Sequence, residues 1–121
     1  MIPRPLRIAL LLLAGLTVLW GSLAPSSIPP GPGLWDKAQH AAAYFGLTVI
    51  GAWAFPRRLT ALAASLFAAG VGIEILQSMM NLGRQGDPAD ALANTAGIAA
   101  GLILTLAARR LIGDRPRAEG E

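Results

Sequence analysis

The chain has 121 residues, 54% of them hydrophobic and 14% charged, with no cysteine and a net charge of +3. A soluble domain carries about 25% charged residues, so a water-facing surface could hardly be built from this chain; the missing cysteine excludes disulfides, thiolate metal sites and a cysteine nucleophile. The arginines sit mainly at the chain ends and in one short turn, without aromatic residues between them, a pattern that suits lipid headgroups better than nucleic acid.

Four apolar stretches, at 6–23, 38–55, 59–80 and 89–112, each approach the roughly 20 residues a helix needs to cross the hydrocarbon core. The first lies in "MIPRPLRIALLLLAGLTVLWGSLA", whose basic start, apolar centre and Ser22-Leu23-Ala24 ending also fit a cleaved signal peptide. The retained span is the preferred reading, because with cleavage the remaining three helices would lose a packing partner. "APSSIPPGPGLW" then reads as an ordered or extended surface loop. Only "PRR" separates the second and third stretches, which predicts a tight antiparallel hairpin. The polar run "GRQGDPADALANTAG" leads straight into "IAAGLILTLAA", and "GDRPRAEGE" (113–121) closes the chain as a flexible tail. The expected fold is a single all-α domain over 1–121, an integral membrane bundle of four transmembrane helices.

With four spans, Arg4, Arg7, Arg57, Arg58, Arg109, Arg110, Arg115 and Arg117 fall on one side, and Lys37 and Arg84 on the other. The positive-inside tendency then places both termini and the tail in the cytoplasm.

On this topology the polar side chains gather at the outer face. Asp36, Lys37, His40 and Tyr44 open the second helix, Glu74 and Gln77 share a face of the third, and Asp90, Asn94, Gly97 and Gly101 form a stripe on the fourth. At about 1.5 Å per residue, His40, Glu74 and Asn94 reach similar depths. Glu74 is the strongest single signal, since a carboxylate costs about 2.5–3.5 kcal/mol at mid-membrane and so should face protein or trapped water. His40, Arg84 and Gln77 are its candidate donors, and a retained proton is the alternative.

Plainer readings stand beside these. Asp36 with Gln39, and Asp87 with Pro88 and Asp90, have the pattern of helix N-caps. Ala93, Gly97 and Gly101 form a small-residue ridge for helix packing. Trp35 reads as an interfacial aromatic and Tyr44 either as one or as part of the cluster; Lys37 and Arg84 either touch lipid phosphates or serve the cluster. Capping does not account for Glu74, Gln77, His40 and Asn94 together, which form either an interhelical hydrogen-bond network or a pocket open to the outer side.

"DKAQHAAAYFGL", "EILQ" and "RQGDPADALANTAGIAAG" together resemble the signatures of VanZ-like membrane proteins, over residues 36–101. The resemblance implies a small multi-pass protein of the bacterial cytoplasmic membrane, in a family named for a factor associated with low-level resistance to glycopeptide antibiotics such as teicoplanin. The family's polar signature falls on Asp36, Lys37, His40, Tyr44, Glu74, Gln77, Arg84, Asp87, Asp90 and Asn94.

Three functions compete. The first is an outward-facing site for an anionic envelope molecule, either a phospholipid headgroup or a lipid-linked cell-wall precursor, favoured by helix N-termini, Lys37 and Arg84 and opposed by Asp36, Glu74, Asp87 and Asp90. The second is a scaffold whose polar cluster only holds the helices in register. The third is an enzyme using His40 and Glu74 as acid and base, or Asp87, Asp90 and Glu74 around a hard cation. No complete metal spacing, nucleophile motif or phosphate loop is present, so no cofactor, metal or catalytic residue is assigned; the expected partners are membrane lipids, and nucleic acid is not among them.

Overall fold

The computed structural model describes residues 2–25, 33–80 and 86–113, which hold four helices: α1 (Arg4–Leu23), α2 (Gly33–Ala54), α3 (Leu59–Met80) and α4 (Pro88–Gly113). Most of the first linker, the 81–85 connection with Arg84, and the tail beyond 113 with Arg115 and Arg117 lie outside the described residues. Long runs of leucine and alanine favour the helical backbone. Proline punctuates it, standing in the opening turn of α1, at the first position of α4 and in the turn 55–58 that ends α2.

α2 opens at Gly33, five residues before the apolar stretch begins. Hydropathy tracks only the apolar part of a helix, and backbone hydrogen bonding continues through a polar turn. Asp36 therefore sits inside the first turn of α2, near its positive dipole end, and is not its N-cap.

α2 and α4 form the central pair, running parallel with the most extensive contact in the fold. Gly97 and Gly101 of α4 abut the backbone of α2 at Ala41 and Phe45 and the side chain of Thr48. α3 returns antiparallel from the short turn, its Leu62 filling the space beside Gly51 of α2. α1 lies outermost against α2 and α3 and has no buried residue. The core is correspondingly thin, with Tyr44, Leu47, Ala52, Ala54, Leu62, Ile73 and Ile98 as its apolar members.

Large apolar side chains instead cover the outside. Leu16 of α1 is 63% exposed, and Ile103 and Leu92 of α4 are 68% and 72% exposed, a surface that hydrocarbon rather than water accommodates. α1, α3 and α4 are each long and apolar enough to cross a membrane. α2 matches α3 in length, at 22 residues, but its polar opening turns dilute its hydropathy.

The two ends of the bundle differ in charge. One gathers Arg4, Arg7, Arg57, Arg58, Arg109 and Arg110; the other gathers Asp36, Lys37, His40, Glu74, Asp87 and Asp90. At the first end two arginines close α2. Arg7 donates to the Trp53 carbonyl at 2.9 Å, and Arg109 donates to those of Pro56 at 2.9 Å and Ala52 at 3.4 Å. The last carbonyls of a helix have no partner within it and carry the negative end of its dipole, so these guanidinium groups satisfy both needs. Arg7 also lies over the Trp53 ring and Arg4 over Phe55, each at 5.5 Å. Arg109→Ala is expected to lower the stability of the bundle in detergent by about 1 kcal/mol, because the contact is exposed and screened; an unchanged unfolding midpoint would show that the clamp contributes nothing.

A candidate site at the acidic end

The acidic end is built where the first turns of α2 and α4 and the last turns of α3 converge. Lys37 donates to Asp87 Oδ2 at 3.1 Å and to Asp90 Oδ1 at 3.4 Å. The other Asp90 oxygen, Oδ2, faces His40 Nε2 at 3.7 Å, too far for a direct hydrogen bond. The opposite ring nitrogen of His40, Nδ1, lies 3.1 Å from Asn94 Oδ1, with the amide oxygen as acceptor. Asp90 and Asn94 are buried, one helical turn apart on α4, and His40 stands one turn after Asp36 on α2. The i, i+4 spacing thus puts two pairs of polar groups face to face along the parallel helices.

Asp87 caps α4. Its carboxylate accepts the Ala89 N–H at 2.8 Å, and its backbone carbonyl receives the first bonds of the helix. That cap, followed by the hydrogen bond from Lys37, holds the Asp87 carboxyl below the ordinary carboxylate range. A lowered value means the stabilisation is complete above the ordinary range and is lost only as pH falls through the lowered one.

Glu74 enters from α3. Its Oε2 accepts the Asp87 N–H at 3.0 Å, while Oε1 is buried and has no hydrogen-bond partner among the described residues. Gly86 makes this approach possible, because a β-carbon there would overlap the Glu74 carbonyl and the Ser78 hydroxyl. One turn below Glu74, Gly70 leaves α3 open to two other groups: a β-carbon would stand 3.1 Å from Asn94 Nδ2 and 3.2 Å from Tyr44 Oη. Glu74, Asn94, Tyr44 and, through Asn94, His40 therefore meet on one side of α3.

Comparisons with models of protein families, with curated proteins and with solved structures find no match.

Asp36, Lys37, His40, Tyr44, Glu74, Asp87, Asp90 and Asn94 all lie at this end. Gln77 does not join them. It is buried, but its amide donates to the Ser22 carbonyl at 2.7 Å, tying the end of α3 to the end of α1. The three-residue step from Glu74 turns it toward α1 instead of α4. Arg84, the other expected donor to Glu74, falls outside the described residues. Tyr44 is 3% exposed and so is a core residue, not an interfacial anchor; Trp35, 65% exposed, has the position of one. Gly70 and Gly86 had no place among the expected site residues. For Gly86 the signal was present in the Gly-Asp-Pro sequence, a close backbone approach followed by a cap and a first-turn proline.

Two physical properties of the site follow. Among the described residues, four carboxylates (Asp36, Glu74, Asp87 and Asp90) face one lysine and one histidine, so the cluster as a whole attracts positive charge. Beside it, an apolar groove of about 720 Å³ runs between α1 and α3 over α2, lined by residues such as Leu12, Leu16, Leu47, Leu66 and Ile73. Tyr44 belongs to both, lining the groove while its hydroxyl is turned toward Gly70 and Asn94.

Proposed function

We propose that the chain is a four-span protein of the bacterial cytoplasmic membrane, with both termini cytoplasmic, that holds an amphipathic envelope lipid. The acyl chain lies in the groove between α1 and α3, and the phosphate-bearing head reaches the cluster at the outer end. The observation that carries this reading is the continuity at Tyr44, where an apolar groove of acyl-chain dimensions runs up to buried polar groups. A small-molecule site is characteristically an apolar cleft with a few polar groups at one end. The resemblance to VanZ-like proteins supports the envelope setting, and it extends the proposal to lipid-linked cell-wall precursors and to a link with glycopeptide resistance.

The topology rests on charge and packing. The six described arginines at one end, against Lys37 at the other, favour the arginine end as cytoplasmic. α2 serves as the fourth span because its opening polar residues Lys37 and His40 are directed at α4, where carboxylates and an amide meet them, and not at lipid.

Mass spectrometry of lipids retained by the purified protein tests the function. Gly72 lines the groove with open space where a side chain would be, so Gly72→Phe fills it without striking a neighbour at its β-carbon. Loss of a selectively retained lipid in that variant is expected; the same bulk phospholipid in both preparations would refute the reading. A scaffold is the second reading, favoured by the bonds Lys37, His40 and Gln77 already make to other protein groups, and it predicts that second result.

A further inference from the structure

We propose that Asp36, His40 and Asp90 form a binding site for a divalent transition-metal ion of the Mn²⁺ or Zn²⁺ class at the mouth of the acidic cluster. One ligand atom from each residue lies within 4.8 Å of the others, with Asp36 and His40 half-buried and Asp90 buried. Imidazole nitrogen and carboxylate oxygen bind Zn²⁺ at about 2.0–2.2 Å, so two ligands of one ion stand about 3–4 Å apart. The 3.7 Å between His40 Nε2 and Asp90 Oδ2 falls in that interval and exceeds a hydrogen bond. This set differs from Asp87, Asp90 and Glu74: Asp87 is committed to Ala89 and Lys37, and one Glu74 oxygen to the Asp87 N–H.

The state of His40 strengthens the assignment. Asn94 Oδ1 can only accept, so Nδ1 carries a proton and Nε2 is the nitrogen directed at the Asp90 carboxylate. A metal ion at this point would take the place of a second ring proton between Nε2 and the carboxylate. A histidine that donates from one nitrogen to an amide oxygen while presenting the other is also how metal-ligating histidines are held. Glu74 adds an independent pointer. It is 7% exposed, and its Oε1 has no partner among the described residues.

One histidine and two carboxylates suit Mn²⁺ or Zn²⁺ better than Mg²⁺, which prefers oxygen ligands and its own waters, or Cu⁺, which prefers sulfur. Three protein ligands leave coordination positions for water or for an oxygen of a phosphate. The inference goes beyond the lipid reading and stands without it, although a bound cation would offset the carboxylates that oppose an anionic head.

The test uses the full chain in detergent, depleted of lipid and stripped of metal with a chelator, and titrated with Mn²⁺ while the free ion is followed by electron paramagnetic resonance. Binding of one Mn²⁺ per chain, displaced by Zn²⁺, is expected. Asp36→Asn, which keeps the shape of a half-buried first-turn side chain, and His40→Gln should each weaken binding at least about tenfold. Helical content measured on the same samples separates lost ligation from lost fold for His40→Gln. Absence of saturable binding by the wild-type chain, or wild-type affinity in folded Asp36→Asn, would overturn the proposal. Because no lipid is present in the titration, its outcome is independent of whether the groove retains one.

Discussion

Replacing Gly97 by alanine is expected to break the α2–α4 pair, at a cost of about 3 kcal/mol or more, the upper end of overpacking effects. The added β-carbon would overlap the Ala41 carbonyl and stand 3.0 Å from the Phe45 nitrogen. Both are backbone atoms of α2, so no rotamer change can make room and the helices must move apart as bodies. That motion would pull Lys37 and His40 away from Asp90 and Asn94 and dissolve the acidic cluster with the packing. Gly46→Ala on α2 is the matched control: nothing lies within 4 Å of its β-carbon, and exchanging glycine for alanine in a helix is favourable by about 1 kcal/mol. Unfolding midpoints in an SDS titration should therefore fall sharply for Gly97→Ala and hold or rise for Gly46→Ala. Equal midpoints would mean that close approach at Gly97 is not what joins the two helices.

Gly97 was legible because small residues at four-residue spacing leave a groove on one helix face whatever lies opposite. The helical character of the chain was legible for a similar reason, since length and apolarity are properties of a segment alone. Depth along a helix is also local, which is why His40 and Asn94 could be counted to one level before either helix was placed. Rotation about the axis is not local. Gln77, three residues from Glu74, turns to the Ser22 carbonyl of α1, and nothing in "EILQ" says which neighbour stands on which side. The start of α2 was obscured for another reason: apolarity marks only the apolar part of a helix, while the polar residues Asp36 and Lys37 are helical as well. The clamp formed by Arg7 and Arg109 on α2 carbonyls was hidden behind a simpler meaning of arginine, a mark of the cytoplasmic side. The second role could not be read from the sequence, because only the tertiary fold brings residues 7 and 109 to the end of α2.

Asp90→Ala is expected to destabilise the bundle by about 2–3 kcal/mol, less than the 3–5 kcal/mol typical of breaking a fully buried ion pair. Asp90 is the node of the cluster, with one oxygen on Lys37 and the other facing His40, and its side chain is 8% exposed. The discount arises on the partner side. Lys37 is a third exposed and keeps Asp87 at 3.1 Å, so its ammonium is not stranded. The loss is concentrated in the space beside His40 and in the favourable placement of a carboxylate in the first turn of α4. Asp90→Asn preserves the shape and should cost about 1 kcal/mol, the net worth of an ordinary hydrogen bond. Asp87→Asn should cost least, because asparagine caps a helix about as well as aspartate and the side chain is 47% exposed. The order of SDS midpoints is then wild type, Asp87→Asn, Asp90→Asn, Asp90→Ala. An Asp90→Ala protein more stable than wild type would remove the register role of the carboxylate, because burying it would then be a net cost to the fold, and a ligand would be left as the reason for its presence.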